Sequence, residues 1–147
     1  MRSIQRTWIT MPAAVLAALA LSAGVALAGG RPISTDLSGA AEAPGPGDPD
    51  GSGTVTLTFN AGQGEVCYDY SVTGVEPLTA AHIHVAPAGS PGPVVIGTPP
   101  TSATGGTGCV SADRDLIVAI LTNPSDYYFN VHNTPFPAGA LRGQLSR

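Results

Sequence analysis

Apolar and polar positions alternate along most of this chain. Thr54-Val55-Thr56-Leu57-Thr58-Phe59 sets hydroxyls against apolar side chains, the pattern of a strand with one buried face. Asn60-Ala61-Gly62-Gln63-Gly64 then reads as a hairpin turn. The next strand, residues 65–72, places Val66, Tyr68, Tyr70 and Val72 on one face and Cys67, Asp69 and Ser71 on the other. Further strands are expected at residues 33–37, 79–85, 94–96, 105–111, 126–132 and 139–145, separated by Gly/Pro-rich turns. One segment breaks the two-residue period. Leu116, Ile117, Ile120 and Leu121 recur at helical spacing, with Ser111 or Asp113 as a cap and Asn123-Pro124 as a stop, so residues 113–122 are the helical candidate. Many short strands with one short helix predict an all-β fold, an antiparallel sandwich or Greek-key barrel.

Residues 1–28 read differently. Arg2 and Arg6 precede an almost wholly apolar run from Met11 to Leu27, and Ala26-Leu27-Ala28 has the form of a cleavage site. This is the anatomy of a secretory signal peptide, which leaves residues 29–147 as one domain. The run is short for a membrane span and no stop-transfer pattern follows, so no membrane insertion is expected after cleavage. The expected location is secreted or periplasmic.

Charge narrows the partners. The chain has 6 Lys plus Arg and 10 Asp plus Glu, and none of the basic residues is lysine. Cleavage after Ala28 removes Arg2 and Arg6, so the formal charge becomes 4 − 10 = −6. Nucleic acids and anionic lipid surfaces need clustered Lys or Arg, and this chain offers no such cluster. A protein or a surface polymer is the expected partner class. The segment Asp48-Pro49-Asp50-Gly51-Ser52-Gly53 has part of a calcium loop's acidic spacing, but it lacks the third acidic position and the distal Glu, and reads as a polar turn.

The chain has 2 cysteines, Cys67 and Cys109. In an exported protein such a pair reads as a disulfide, with a pair of metal-binding thiolates as the alternative. The bridge would close a loop of about 43 residues and contribute roughly 4 kcal/mol on chain-entropy grounds.

All 3 histidines fall in two strand-like segments, Ala81-His82-Ile83-His84-Val85 and Tyr127-Tyr128-Phe129-Asn130-Val131-His132. His82 and His84 share a strand face, and their α-carbons lie roughly 7 Å apart on strand geometry. If the two strands are neighbours, three imidazoles converge. Two uses of that cluster are open. A Cu²⁺ or Zn²⁺ ion would accept three imidazoles, with water or a carboxylate completing the shell and with Asp69 and Tyr128 as candidate neighbours. Alternatively the rings hydrogen-bond to backbone and to Asn130 and pin loops together. Arg142 shares a face with Ala140 and Gln144, and is expected either to neutralise an anion near the histidines or, preferentially, to pair with a surface carboxylate. Tyr68, Tyr70, Tyr127 and Phe129 are expected in the core. No nucleophile–base arrangement and no phosphate loop is present, so no catalytic residue is assigned.

The order of short motifs carries a resemblance. Leu37-Ser38-Gly39, Glu42-Ala43-Pro44, Gly53-Thr54-Val55-Thr56-Leu57, Val66-Cys67-Tyr68 and Ala81-His82-Ile83-His84 come first. Gly92-Pro93-Val94-Val95, Tyr128-Phe129-Asn130-Val131-His132 and Gly139-Ala140-Leu141-Arg142-Gly143-Gln144-Leu145 follow. This series resembles the CHRD domain, named after chordin and also common in exported bacterial proteins. The resemblance covers residues 29–147 nearly throughout and implies an extracellular, β-rich, immunoglobulin-like domain, without implying an activity. A looser likeness joins the His-x-His strand to the copper strand of copper/zinc superoxide dismutases. That site needs a fourth copper histidine, which this chain lacks. The expected function is therefore an extracellular structural or interaction module without catalysis. The alternative is a copper- or zinc-binding protein of weak redox activity, with His82, His84 and His132 as ligands.

Overall fold

The computed structural model describes residues 29–147; the signal-peptide reading of residues 1–28 lies outside them. Eight strands form one antiparallel sheet: β1 (Arg31–Ser38), β2 (Ser52–Asn60), β3 (Glu65–Thr73), β4 (Leu78–Val85), β5 (Val94–Gly97), β6 (Gly105–Ser111), β7 (Tyr127–Asn133) and β8 (Leu141–Gln144). Among the described residues the single α-helix, α1 (Arg114–Thr122), lies between β6 and β7. Its cap is Asp113, whose carboxylate accepts from the backbone N–H groups of Asp115 and Leu116 at 2.8 and 3.1 Å.

Strand order is β5-β4-β7-β8-β1-β2-β3-β6. The sheet is therefore two four-stranded halves joined between β8 and β1, where Ser38 opposite Arg142 is the one paired position. Thr35 Oγ1 adds a hydrogen bond to the carbonyl of Gln144 at 3.0 Å on the same seam. The outer edges are drawn together by the segment between β5 and β6. Thr98 accepts from the Tyr70 hydroxyl at 3.1 Å, Ala103 accepts from the backbone N–H of Leu78, and Thr104 accepts from that of Val72, both at 2.9 Å. These bonds leave the sheet curled and nearly closed, like a barrel.

The inward-facing residues are the apolar phase of each strand. Ile33 and Leu37, then Val55, Leu57 and Phe59, then Val66, Tyr68, Tyr70 and Val72 meet Ala81, Ile83, Tyr127, Phe129 and Val131 in one core. Helix α1 buries Ile117 and Ile120 in the same core, while Leu116 and Leu121 pack against its margin. At about 25 cal/mol per Å² of apolar surface, this continuous interior is the main stabilising term. Cys67 and Cys109 sit directly opposite each other in the β3–β6 ladder and form a disulfide. Asp48 makes a local turn by accepting from the N–H of Asp50 at 3.2 Å, as a polar turn predicts.

Candidate functional site

Strand β7 pairs with β4 on one side and β8 on the other. In this register His82 lies opposite Asn130, His84 opposite Tyr128 and Ala80 opposite His132, while Asn130 and Tyr128 face Arg142 and Gln144 of β8. Because side chains alternate, the phase that sends Ile83, Phe129 and Val131 inward sends all of these polar residues outward. They do not reach solvent freely. Residues 86–93 fold over them from one end, and residues 134–140, with the turn around Glu42, cover them from the other. His84, Asn130, His132 and Arg142 are all buried, and His82 is half-buried.

The three histidines converge as their strand phases predict. One ring nitrogen from each lies within 4.8 Å of the others. Nδ1 of His82 stands 3.1 Å from Nε2 of His132, which is also 3.0 Å from Oδ1 of Asn130. His132 Nδ1 donates to the carbonyl of Pro137 at 3.1 Å, and His84 Nδ1 donates to that of Gly92 at 2.8 Å. His84 also stacks on Tyr128, with ring centroids 4.7 Å apart and planes 9° from parallel. Gly92 crosses so close to β4 that a β-carbon there would overlap the Val85 carbonyl oxygen. Only glycine brings its carbonyl to His84 and its N–H to the Tyr128 hydroxyl, at 3.2 Å.

Arg142 corrects the expectation of a surface ion pair. It is 1 % exposed, and no carboxylate lies within ion-pair distance of it; among the described residues the one ion pair is Arg114–Asp115, at 3.8 Å. Its guanidinium donates to the carbonyls of Ser90 and Pro87 at 2.9 and 3.0 Å and to Oε1 of Gln144 at 3.0 Å. It lies 3.4 Å over the Tyr128 ring centre. The reason is geometric: its strand phase points at the histidine layer, and loop 86–93 closes over that layer with carbonyls inward. Gln144 completes the clamp, donating to the carbonyls of Ala86, Ser125 and Tyr127 at 2.8–2.9 Å. Asp69, the carboxylate suggested for the histidine cluster, sits instead on β3 in the other half, exposed.

Burial sets the ionisation of the layer. Desolvation, followed by His132 and His84 as neighbours, pushes His82 down to about 4. Burial also lowers His132, against the hydrogen bond to Pro137. Both rings are therefore neutral at pH 7. Glu42 is the participant that sequence reasoning missed. Its carboxyl hydrogen-bonds Asn130, and desolvation raises its pKa to about 7 against the opposing pull of Asn130 and Arg142. Glu42 stands in the sequence as a lone acidic residue and within the Glu42-Ala43-Pro44 motif that helps carry the family resemblance, with no strand period to assign it a face. Two of the four buried side-chain atoms without a hydrogen-bond partner among the described residues lie in this layer, Glu42 Oε1 and His84 Nε2.

These features can hold loops rigidly, and the three imidazoles place one ring nitrogen each where a cation could meet them. The layer holds no hydroxyl or thiol nucleophile paired with a base. Comparison with curated proteins and with solved structures returned no match. Residues 33–145 match the CHRD domain, a span that includes every member of this layer. The chain belongs to the CHRD domain family.

Proposed function

We propose that this protein is an exported, non-catalytic CHRD module that works by binding, with a protein or surface polymer outside the cytoplasm as its partner. One observation carries the reading: the groups that an enzyme would use are committed to architecture. Arg142 donates to the carbonyls of Ser90 and Pro87 and to Oε1 of Gln144, Gln144 donates to backbone carbonyls in turn, and Tyr128 is sandwiched between Arg142 and His84. The other half of the sheet offers surface instead. Ser34, Thr56, Asp69 and Thr107 form one row across β1, β2, β3 and β6, with Asp36, Thr54 and Ser71 in the next, all exposed. The disulfide stiffens this face, which has an open depression of about 410 Å³ along Thr56, Thr58, Asp69, Thr107 and the two cysteines. A broad hydroxyl-rich sheet suits an extended partner better than a small substrate.

The CHRD match and the disulfide fit a protein outside the reducing cytoplasm. Intact-mass analysis of protein expressed with its leader tests export: loss of residues 1–28 is expected, and a soluble exported form retaining Met1 would refute it. For binding, the purified domain is sedimented with isolated cell-envelope polymer and, separately, with surface-protein extract. The expected result is saturable retention by one of them that Thr56→Arg abolishes. Retention unchanged by that substitution, or turnover of ester, phosphate or glycoside substrates by the domain, would overturn the reading.

A further inference from the structure

We propose that His82, His84 and His132 form a binding site for one divalent transition ion of the imidazole-preferring kind, Zn²⁺ or Cu²⁺. This goes beyond the binding-module reading and stands whether or not a partner docks on the hydroxyl face.

The backbone carbonyls decide where the ring protons sit. A carbonyl oxygen only accepts, so the Nδ1 atoms of His84 and His132, facing Gly92 and Pro137, must hold the protons of those rings. In the neutral rings both Nε2 atoms then carry lone pairs. Histidines that ligate metals are oriented in this way, with the second nitrogen donating to a backbone carbonyl or carboxylate. His84 Nε2 has no hydrogen-bond partner although its residue is only 7 % exposed. A buried lone pair left without a donor is costly unless something electron-poor meets it. The Nε2 of His132 faces a second acceptor, Asn130 Oδ1, at 3.0 Å, which a shared cation would also satisfy.

The spacing fits. Metal–nitrogen bonds of about 2.0–2.1 Å place neighbouring ligand atoms about 2.9 Å apart at right angles and about 3.3 Å apart in a tetrahedron. The Nδ1–Nε2 separation between His82 and His132 is 3.1 Å; without an ion this is a hydrogen bond from His82 Nδ1–H, and an ion that takes both nitrogens has that proton pass to His82 Nε2 through solvent. The three ring nitrogens lie within 4.8 Å of one another, so the set must contract to share one ion, and His82, half-buried, is the least confined of the three rings. The donor set is all imidazole, which selects Zn²⁺ or Cu²⁺ over the oxygen-seeking Ca²⁺ and Mg²⁺. Asn130 Oδ1 or water supplies the fourth position. Glu42, one hydrogen bond further out through Asn130, gives the layer its carboxylate.

The test titrates chelator-treated protein with ZnSO₄ and with CuSO₄ in separate calorimetric experiments, and records the copper spectrum by electron paramagnetic resonance. One ion per chain, with nitrogen couplings in the copper spectrum, is the expected result for at least one metal. His82→Ala and His84→Gln should each weaken binding by about 100-fold or more. His82→Ala removes a half-buried ring whose one hydrogen bond is to His132, so its circular dichroism and melting should remain those of a folded domain. Either variant, if folded, binding like the parent would overturn the site. So would a parent that takes up neither ion stoichiometrically, or one whose copper spectrum shows only oxygen ligands. In each of those cases the histidines act as loop clamps.

Discussion

Replacing Arg142 with methionine isolates the clamp that holds loop 86–93 on the sheet. Methionine keeps most of the apolar stem and removes the guanidinium. The variant leaves the carbonyls of Ser90 and Pro87 without their donor, as well as Oε1 of Gln144. Three orphaned, partly buried acceptors cost about 1–3 kcal/mol each, and the lost stacking on Tyr128 adds about 1–2 kcal/mol. Against this, the variant no longer buries a cation with no carboxylate at ion-pair distance, whose desolvation costs several kcal/mol. The balance is a net loss of about 2–4 kcal/mol. For a domain of this length, with unfolding entropy near 2.1 cal/mol/K per residue, each kcal/mol moves the melting temperature by about 4 °C, so a drop of about 8–16 °C is expected. Calorimetry measures it, and hydrogen exchange should localise the loosening to residues 85–93. Arg142→Lys should fall between the two, because an ammonium can reach a carbonyl but cannot stack as a plane. A methionine variant melting within about 2 °C of the parent, with unchanged exchange in the loop, would refute the clamp.

Reducing the Cys67–Cys109 bond, or replacing both residues with alanine, should cost up to about 4 kcal/mol and lower the melting temperature by up to about 16 °C; two titratable thiols in native, unreduced protein would contradict the pairing. His82 has a folded pKa near 4, below its ordinary 6.5, so the unfolded chain takes up the proton first as pH falls. Its contribution is therefore full above about pH 6.5 and lost toward pH 4, worth about 1–2 kcal/mol after discounting for solvent screening, and His82→Phe should flatten that part of the stability curve measured by denaturant titration. Glu42 has the opposite sign. With a folded pKa near 7 against 4.5, the folded state holds its proton longer, so stability falls as pH rises from 4.5 to 7. Glu42→Gln should thus stabilise the domain by about 1–2 kcal/mol at pH 8 and change little at pH 4, a difference that paired thermal melts would read. Gly139→Ala should destabilise strongly, since φ is 153° there and a β-carbon would overlap the Glu42 carboxyl; an unchanged melt would argue against that contact.

The local elements are legible in the order of residues alone. Alternation predicts each strand to within two residues because one buried face imposes a period of two wherever it occurs. The helix, a cap at Ser111 or Asp113 and the Asn123-Pro124 stop follow from backbone groups that must be satisfied locally, and the structure selects Asp113. The two cysteines fall on strands that pair in register, so their bond needs no special path. The face shared by His82 and His84, and the opposite face taken by Phe129 and Val131, are equally readable. What the pattern does not supply is the identity of each strand's neighbour. Periodicity names a strand's buried side, whereas pairing of β4 with β7 across roughly 40 residues depends on how the entire core closes. That choice converts three separate histidines into one cluster. It also buries Arg142, whose charge and strand position alone suggest a surface pair. Only folding loop 86–93 over β8 presents carbonyls that can replace water around the guanidinium. Glu42 enters the layer in the same manner, from a turn with no periodicity of its own, because the space beside Gly139 and Asn130 exists only once β7 and β8 are side by side.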